Sequence, residues 1–493
     1  MGFILAIDQG TTGTTAVLIN DSNFKFVDKV NKEFPQIFPQ PGQVEHNLND
    51  IWDTVQETVK ALLKKNHLKG KDLSAIGITN QRETTCAFSK AGEPLANAIV
   101  WQDRRTFDFC QSIKAKESEV QELTGLPIDP YFSGTKMRWL LKNNKQVKSA
   151  VIKDDLRLGT IDTFLLYKLS GHKAFATESS NASRTLLMNL SSGKWDESLT
   201  KLFEVDPKFL PEIKDSFGFF GETSGLSFLP DGIPISGILG DQQSALFGQA
   251  GYSKGDIKCT YGTGAFMLLN TGRDIKRSQN GLLSTVAYQK DGNLTYALEG
   301  SCYIAGAAVQ WLRDNCFFFK DSPEIETLAS KITNLDEMKN ILFLPFFTGI
   351  GSPHWKAEAT GALIGLTRDT SQNHISRACL EGIALSINDL INAMKKDTGL
   401  AICELKVDGG AVANNLLMNI QASLSKLNII RPKVIETTAY GAALAAAIGV
   451  GKVSFNEIDK LWVEDKVFES AGFDDDYFNL KKHQWSKAIK ALY

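Results

Sequence analysis

Asp8 stands where an apolar run, Phe3-Ile4-Leu5-Ala6-Ile7, gives way to Gln9-Gly10-Thr11-Thr12-Gly13-Thr14-Thr15. Glycines let backbone N–H groups approach an anion, and threonine hydroxyls add donors, so this turn suits a phosphate. A carboxylate at the end of the preceding strand can hold a hydrated Mg²⁺ against such a phosphate. The alternative is a hairpin that merely turns. Ile257-Lys258-Cys259-Thr260-Tyr261 leads in the same way into Gly262-Thr263-Gly264, and Ala265-Phe266-Met267-Leu268-Leu269 follows. Two such loops could grip a triphosphate from two sides.

Three further segments carry polar groups at the ends of apolar runs. Ile233-Pro234-Ile235-Ser236-Gly237-Ile238-Leu239-Gly240 runs into Asp241-Gln242-Gln243. There the acid could accept a proton from an attacking hydroxyl, or could cap the helix that follows. Ile76-Gly77-Ile78 precedes Asn80-Gln81-Arg82-Glu83-Thr84-Thr85, whose adjacent Arg and Glu suit a small ligand made mostly of hydroxyls or form a solvated ion pair. Trp101, in Val100-Trp101-Gln102-Asp103-Arg104-Arg105, could cover the C–H face of such a ligand. Val407-Asp408-Gly409-Gly410 followed by Ala411-Val412-Ala413-Asn414-Asn415 could lie flat against a nucleotide base or ribose, or could be a plain turn into a helix.

Other chemistries are excluded by spacing. No GxxxxGK[ST] loop occurs, since Ser192-Gly193-Lys194-Trp195 lacks its spacing, and Asp103-Arg104-Arg105 has neither a preceding His nor a DFG after it. The six histidines have no zinc-ligand spacing, and the seven cysteines form no CxxC pair. Dispersed cysteines point to reduced thiols and a cytoplasmic setting. A formal net charge of −2 gives no attraction to nucleic acid or to an anionic membrane. No apolar run of eighteen residues occurs, so no membrane span is expected, and the N-terminus reads as a strand and not as a signal peptide.

The elements that must position these residues alternate between strand and helix, which indicates an α/β architecture. Asn49 is placed to cap a helix carrying Trp52, Val55, Val59 and Leu62 on one face. Ser371 is placed to cap another, carrying Ile375, Cys379, Ile383, Ile387, Leu390 and Met394. The chain of 493 residues exceeds one ordinary core. Two Gly-Thr hairpins, one opening each half, suggest two domains on one plan, or two hairpins that merely look alike. The boundary is expected near Phe247 to Gly251, dividing the chain into 1–247 and 248–493. The Lys- and Phe-rich tail after Leu461, with Phe473-Asp474-Asp475-Asp476, reads as a solvated terminal helix.

Taken together, these segments resemble the FGGY family of carbohydrate kinases nearly end to end. The likeness includes Asp8-Gln9-Gly10-Thr11-Thr12, Pro41-Gly42-Gln43-Val44-Glu45-His46, Asn80 to Thr85 and Trp101 to Arg105. It continues through Tyr131-Phe132-Ser133-Gly134-Thr135-Lys136, Gly240-Asp241-Gln242-Gln243, Tyr261-Gly262-Thr263-Gly264, Gln310-Trp311-Leu312 and Asp408-Gly409-Gly410. The family's second signature fits Gly361 to Glu381, with Cys379 an unusual occupant of a small-residue position.

The resemblance implies two actin-like, ribonuclease-H-like domains with ATP and substrate in the cleft between them. It implies phosphoryl transfer from Mg·ATP to a small polyol, with glycerol the best candidate, and a homo-oligomer, dimer or tetramer. Carried over by motif, Arg82, Glu83, Tyr131, Asp241 and Gln242 would hold the hydroxyls, while Trp101 and Phe266 would flank the carbon chain. Asp241 would be the general base and Asp8 would help place Mg²⁺. Thr11, Thr12, Gly13, Thr263, Gly306, Gln310, Gly410 and Asn414 would contact the nucleotide. The chain departs from the family at Gly13 and Thr15, where Ser and Arg are usual, which removes one cation from the nucleotide site. Gly232 replaces an Arg that in some members binds an inhibitory sugar bisphosphate, and Leu226-Ser227-Phe228 lacks a phosphorylatable His, so neither mode of control is expected.

Overall fold

The computed structural model describes residues 2–470 and 475–493. The first apolar run becomes β1 (Phe3–Gln9), which the Gly/Thr turn returns as antiparallel β2 (Gly13–Asn20), with β3 (Phe26–Glu33) beyond it. Helix α1 (Leu48–Lys65) leads to β4 (Leu73–Asn80), parallel to β1. β5 (Phe217–Glu222) and β6 (Pro234–Gly240) complete a sheet of order β5-β6-β4-β1-β2-β3, and α2 (Asp241–Gly248) follows.

The second sheet is built from β7 (Ile257–Tyr261), β8 (Ala265–Gly272), β9 (Leu283–Lys290), β10 (Asn293–Cys302), β11 (Glu404–Asp408), β12 (Asn428–Pro432) and β13 (Glu464–Phe468). Its order is β9-β10-β8-β7-β11-β12-β13. With β9 set aside, the two sheets follow one plan. β1 and β7 each have two antiparallel strands on one side, and on the other two parallel strands ending in an antiparallel edge. The likeness of the two Gly-Thr hairpins therefore reflects a repeated architecture.

Each half carries helices on its sheet faces: α3 (Gly306–Asp314), α4 (Gln372–Thr398), α5 (Asn415–Ser425), α6 (Thr437–Gly449) and α7 (Asp475–Leu492) lie in the second half of the chain. The two-residue period of β1 sorts its side chains between two cores. Leu5 and Ile7 join the core with α1, whereas Ile4 and Ala6 join a core filled by Ala439, Ala442, Ala443 and Ala446 of α6. A helix from the second half thus covers one face of the first sheet. It can do so because both surfaces are nearly bare of side chains: a Cβ on Gly77 would lie 2.1 Å from the carbonyl oxygen of Ala442.

Two expectations are corrected. The cap of α1 is Asn47, whose side chain accepts the N–H of Asn49 at 2.9 Å. The helix starts earlier because Leu48 and Ile51 are both wholly buried and extend its apolar face. The terminal helix α7 is packed and not solvated: Tyr477, Phe478, Lys481 and Trp485 are buried. Lys481 lies 3.1 Å from the buried Glu381, and the Trp485 indole donates to the half-buried Asp389 at 2.8 Å, so partners inside the fold compensate polar groups that suggested an exposed face. Phe473 and Asp474 lie outside the described residues. Ser371 does cap α4, in a capping box with His374.

Gly77→Ala is expected to destabilise the protein by about 3 kcal/mol, since backbone and not a flexible side chain must give way. Urea unfolding of the variant beside wild type reads this directly; an unchanged midpoint would contradict the close approach of α6.

Candidate active site

Parallel strands bring their carboxyl ends to one edge, where a crevice forms. Gln9 of β1 and Gly240 of β6 both pair with Asn80 of β4, so the three strands end level. This register places Asp8, the Arg82-Glu83 pair and Asp241 side by side, although they are far apart in the chain. In the second half, β7 and β11 are likewise parallel, with Thr260 opposite Asp408, which sets the Gly262 loop beside Gly409 and Gly410.

The centre of the site is a buried charge cluster. Arg82 Nε lies 3.0 Å from Asp241 Oδ1, and its two terminal nitrogens grip both oxygens of Glu299 on β10, Nη2 to Oε1 at 3.1 Å. Arg184 donates from Nε to Glu83 at 2.6 Å and from Nη2 to Glu299 at 3.0 Å. Arg82, Glu83, Arg184 and Glu299 are all buried, while Asp241 keeps 29% of its side chain exposed. Burial would push the Glu299 carboxyl up, but the two guanidinium groups overcome it and hold that carboxyl below its usual range. Burial raises the Asp241 carboxyl, opposed chiefly by Arg82. Glu83 adopts a left-handed backbone (φ 62°), which turns its side chain away from the strand direction.

Around the cluster, Trp101 stands edge-on to Tyr131 (ring centroids 5.7 Å apart) and to Phe266 (6.5 Å). All three rings are half-buried. The Trp101 indole N–H donates to Thr11 Oγ1 at 2.9 Å, joining this aromatic wall to the first Gly-Thr loop. Gln242 is nearly buried, and its side-chain oxygen accepts from Lys258 at 2.6 Å. The predicted polyol residues therefore come together from both halves, with Arg82, Glu83, Trp101, Tyr131, Asp241 and Gln242 on one side and Phe266 on the other.

The candidate nucleotide residues fall into three groups. Thr11 and Thr12 form the tip of the first loop, with Thr12 exposed. Gly13 has a packing reason of its own, because a Cβ there would lie 2.7 Å from the carbonyl oxygen of Lys32 on β3. Thr263 is exposed on the second loop, and the N–H of Gly306, at the start of α3, donates to Gly262 at 2.9 Å, with Gln310 exposed one turn further. Gly410 faces open space, whereas the Asn414 side chain caps α5 by accepting from the Leu417 N–H at 2.8 Å. That cap occupies its oxygen and leaves its amide N–H₂ for a ligand.

Asp8 is half-buried at the end of β1. Burial, then the negative charges of Asp241 and Glu436, push its carboxyl up to about 8. Uncompensated hard oxygen donors of this kind fit a Mg²⁺ ion. Among the described residues no group of three or more His, Cys, Asp or Glu side chains is arranged to hold a metal. An ion there would take one or two carboxylates and the nucleotide phosphates as its ligands.

Sequence reasoning missed Glu299, Arg184 and Lys258. Glu299 and Lys258 are lone charges in apolar settings, Leu298-Glu299-Gly300 and Ile257-Lys258-Cys259, and that isolation was the available signal; Arg184, in the polar run Ser183-Arg184-Thr185, offered none. It also missed Glu178, which is wholly buried and accepts from the N–H groups of Ser180 and Asn181 at 2.7 Å each and from Ser216 Oγ at 2.9 Å. Ser180 Oγ in turn accepts the Gly240 N–H at 3.0 Å, and Asn181 exchanges hydrogen bonds with Asn80. Glu178 thus braces the ends of both β4 and β6. Burial pushes its carboxyl up to about 7.

Residues 3–248 match the N-terminal domain, and residues 257–450 the C-terminal domain, of the FGGY family of carbohydrate kinases. The glycerol kinase of Myxococcus xanthus is 48% identical over 494 residues, 99% of each chain. That of Bdellovibrio bacteriovorus is 48% identical over 472 residues, 95% of this chain and 94% of that one. Among solved structures, Plasmodium falciparum glycerol kinase with ADP superposes with a TM-score of 0.91 at 34% identity, covering 100% of this chain and 98% of that one. A xylulose kinase from Lactobacillus acidophilus shares the fold, with a TM-score of 0.86 at 23% identity, covering 100% of this chain and 99% of that one. The chain belongs to the FGGY family of carbohydrate kinases.

The brace at Glu178 has a pH signature. An acid whose carboxyl rises from 4.5 unfolded to about 7 folded binds more protons in the native state between those values. Its contribution to stability therefore falls as pH rises through that window, by about 3 kcal/mol, and levels off above it. Urea melts of wild type and Glu178→Gln from pH 5 to pH 8 should show the difference in stability moving toward the variant by about that amount. A constant difference would contradict the raised carboxyl.

Proposed function

We propose that the chain is a glycerol kinase, transferring the terminal phosphoryl group of ATP to glycerol to give sn-glycerol 3-phosphate and ADP. The observation that carries this reading is one buried cluster, in which Arg82, Glu83 and Asp241 are tied to Glu299 of the other half, between two Gly-Thr loops. Residues 1–247 supply most of the polyol site and residues 248–493 most of the nucleotide site. The xylulose kinase likeness is one of fold alone and carries no substrate.

Glycerol is neutral, so recognition rests on alternating donors and acceptors. Arg82 and Gln242 donate, Glu83 and Asp241 accept, and the rings of Trp101, Tyr131 and Phe266 shield the carbon chain from water. Asp241 takes the proton of the terminal hydroxyl as its oxygen bonds to the γ-phosphorus and the bond from that phosphorus to the β–γ bridging oxygen breaks. Arg82 Nε, 3.0 Å from Asp241, orients that carboxylate and opposes the upward push of burial on it. Thr11, Thr12, Gly13 and Thr263 align the phosphates, with Gly306, Gln310, Gly410 and Asn414 beneath the nucleoside. Bound with the nucleotide at Asp8, Mg²⁺ would neutralise charge on the phosphate oxygens. The protein's part is mostly positioning and exclusion of water.

Seven free cysteines support a reducing cytoplasmic setting, and among the described residues no helix is long and apolar enough to cross a membrane. A dimer or tetramer is inferred from family likeness alone.

A coupled ADP-release assay with glycerol as lead substrate, beside other polyols and ketoses, tests the reading. Glycerol is expected to give the highest kcat/KM; ATP turnover that ignores every acceptor would overturn it. Asp241→Asn should lower kcat about a thousandfold while ATP binding stays nearly intact, and wild-type turnover would refute the base assignment.

A further inference from the structure

Lys258 is wholly buried on β7, four positions before Gly262 of the second Gly-Thr loop. Among the described residues it forms no ion pair. Its Nζ donates to Gln242 Oε1 at 2.6 Å and to Thr260 Oγ1 at 2.8 Å. An ammonium buried without a carboxylate in contact carries a desolvation cost that neutral acceptors only partly offset. Its position suggests what is gained. It comes from the nucleotide half and reaches across to the residue that follows Asp241.

The chemistry of the pair fixes a polarity. With Lys258 Nζ donating, the Gln242 amide turns its oxygen toward Lys258 and its N–H₂ group away. We propose that Lys258 is a positioning residue that locks Gln242 as a hydrogen-bond donor toward the polyol, and so aims the attacking hydroxyl's proton at a carboxylate. A hydroxyl has two lone pairs and one proton. With Gln242 and Arg82 donating to the lone pairs, the proton is left for Asp241. With the amide reversed, its oxygen would compete with Asp241 for that proton, and the hydroxyl would be held in an unreactive orientation. Thr260, the other acceptor, is next to Tyr261 and the loop at Gly262, so the same ammonium ties acceptor orientation to the nucleotide loop.

This inference rests on the polyol site proposed above, and its test separates the two. Wild-type turnover of glycerol tests the site; coupling between positions 258 and 242, measured on that turnover, tests the inference. Lys258→Met keeps the apolar stem and removes the ammonium. Its kcat/KM for glycerol should fall at least about tenfold, while the calorimetric Kd for ATP without glycerol changes less than about twofold. In a Gln242→Leu background the same substitution should cost less than about twofold, because the group it acts through is gone. Gln242→Glu keeps a partner for the ammonium but loses the donor, so it should fall as far as Gln242→Leu. A purely structural lysine would show equal cost in both backgrounds. That result, or wild-type kcat/KM in Lys258→Met or Gln242→Glu, would overturn the proposal. If Lys258→Met fails to fold, Lys258→Gln, whose amide can donate or accept and so no longer fixes the polarity of Gln242, takes its place in the same comparison with and without Gln242→Leu, with the same outcomes.

Discussion

The arrangement turns on one buried guanidinium. Arg82 faces Asp241 with one nitrogen and grips Glu299 of the opposite half with the other two. A neutral substrate cannot balance buried charge, so the site must be balanced before glycerol arrives. Glu299 and Arg184 do this: without Glu299 two guanidinium groups would lose a shared carboxylate, and without Arg184 the Glu83 carboxylate would lose the cation that hydrogen-bonds it. Buried pairs of this kind add little net stability, because desolvation offsets most of their attraction. What they fix is geometry, and here the geometry spans two domains.

Closeness of the domains is the matching constraint. The α6 helix lies against the first sheet at backbone contact, which glycine and alanine permit. That packing joins the second half to the face of the strands whose ends carry Asp8, Arg82 and Asp241. The site is therefore set on rigid strand ends from one half and closed by β7, β8 and β10 from the other.

Much of this was legible in the sequence. Asp8, Asp241 and the Arg82-Glu83 pair announced themselves as polar groups released at the ends of apolar strands, and the two hairpins announced the repeated plan. What stayed hidden has a common cause. Glu299 is 217 positions from Arg82 and 115 from Arg184, so no local pattern joins them. The α6 helix is buried all round, so it lacks the one-sided apolar period that marks a helix in sequence. The terminal helix misled in the opposite direction: its lysines suggested solvent, yet Lys481 is buried against Glu381. Gly13 was read for its phosphate, and the structure adds a steric reason in β3.

The most direct test of the cross-domain clamp is the kcat/KM for glycerol of Glu299→Gln, at saturating ATP, beside its ATP hydrolysis without glycerol. Removing this charge frees Arg82 to swing toward Asp241, so glycerol turnover should fall about a hundredfold while the glycerol-independent rate holds. Wild-type kcat/KM for glycerol in that variant would contradict the account.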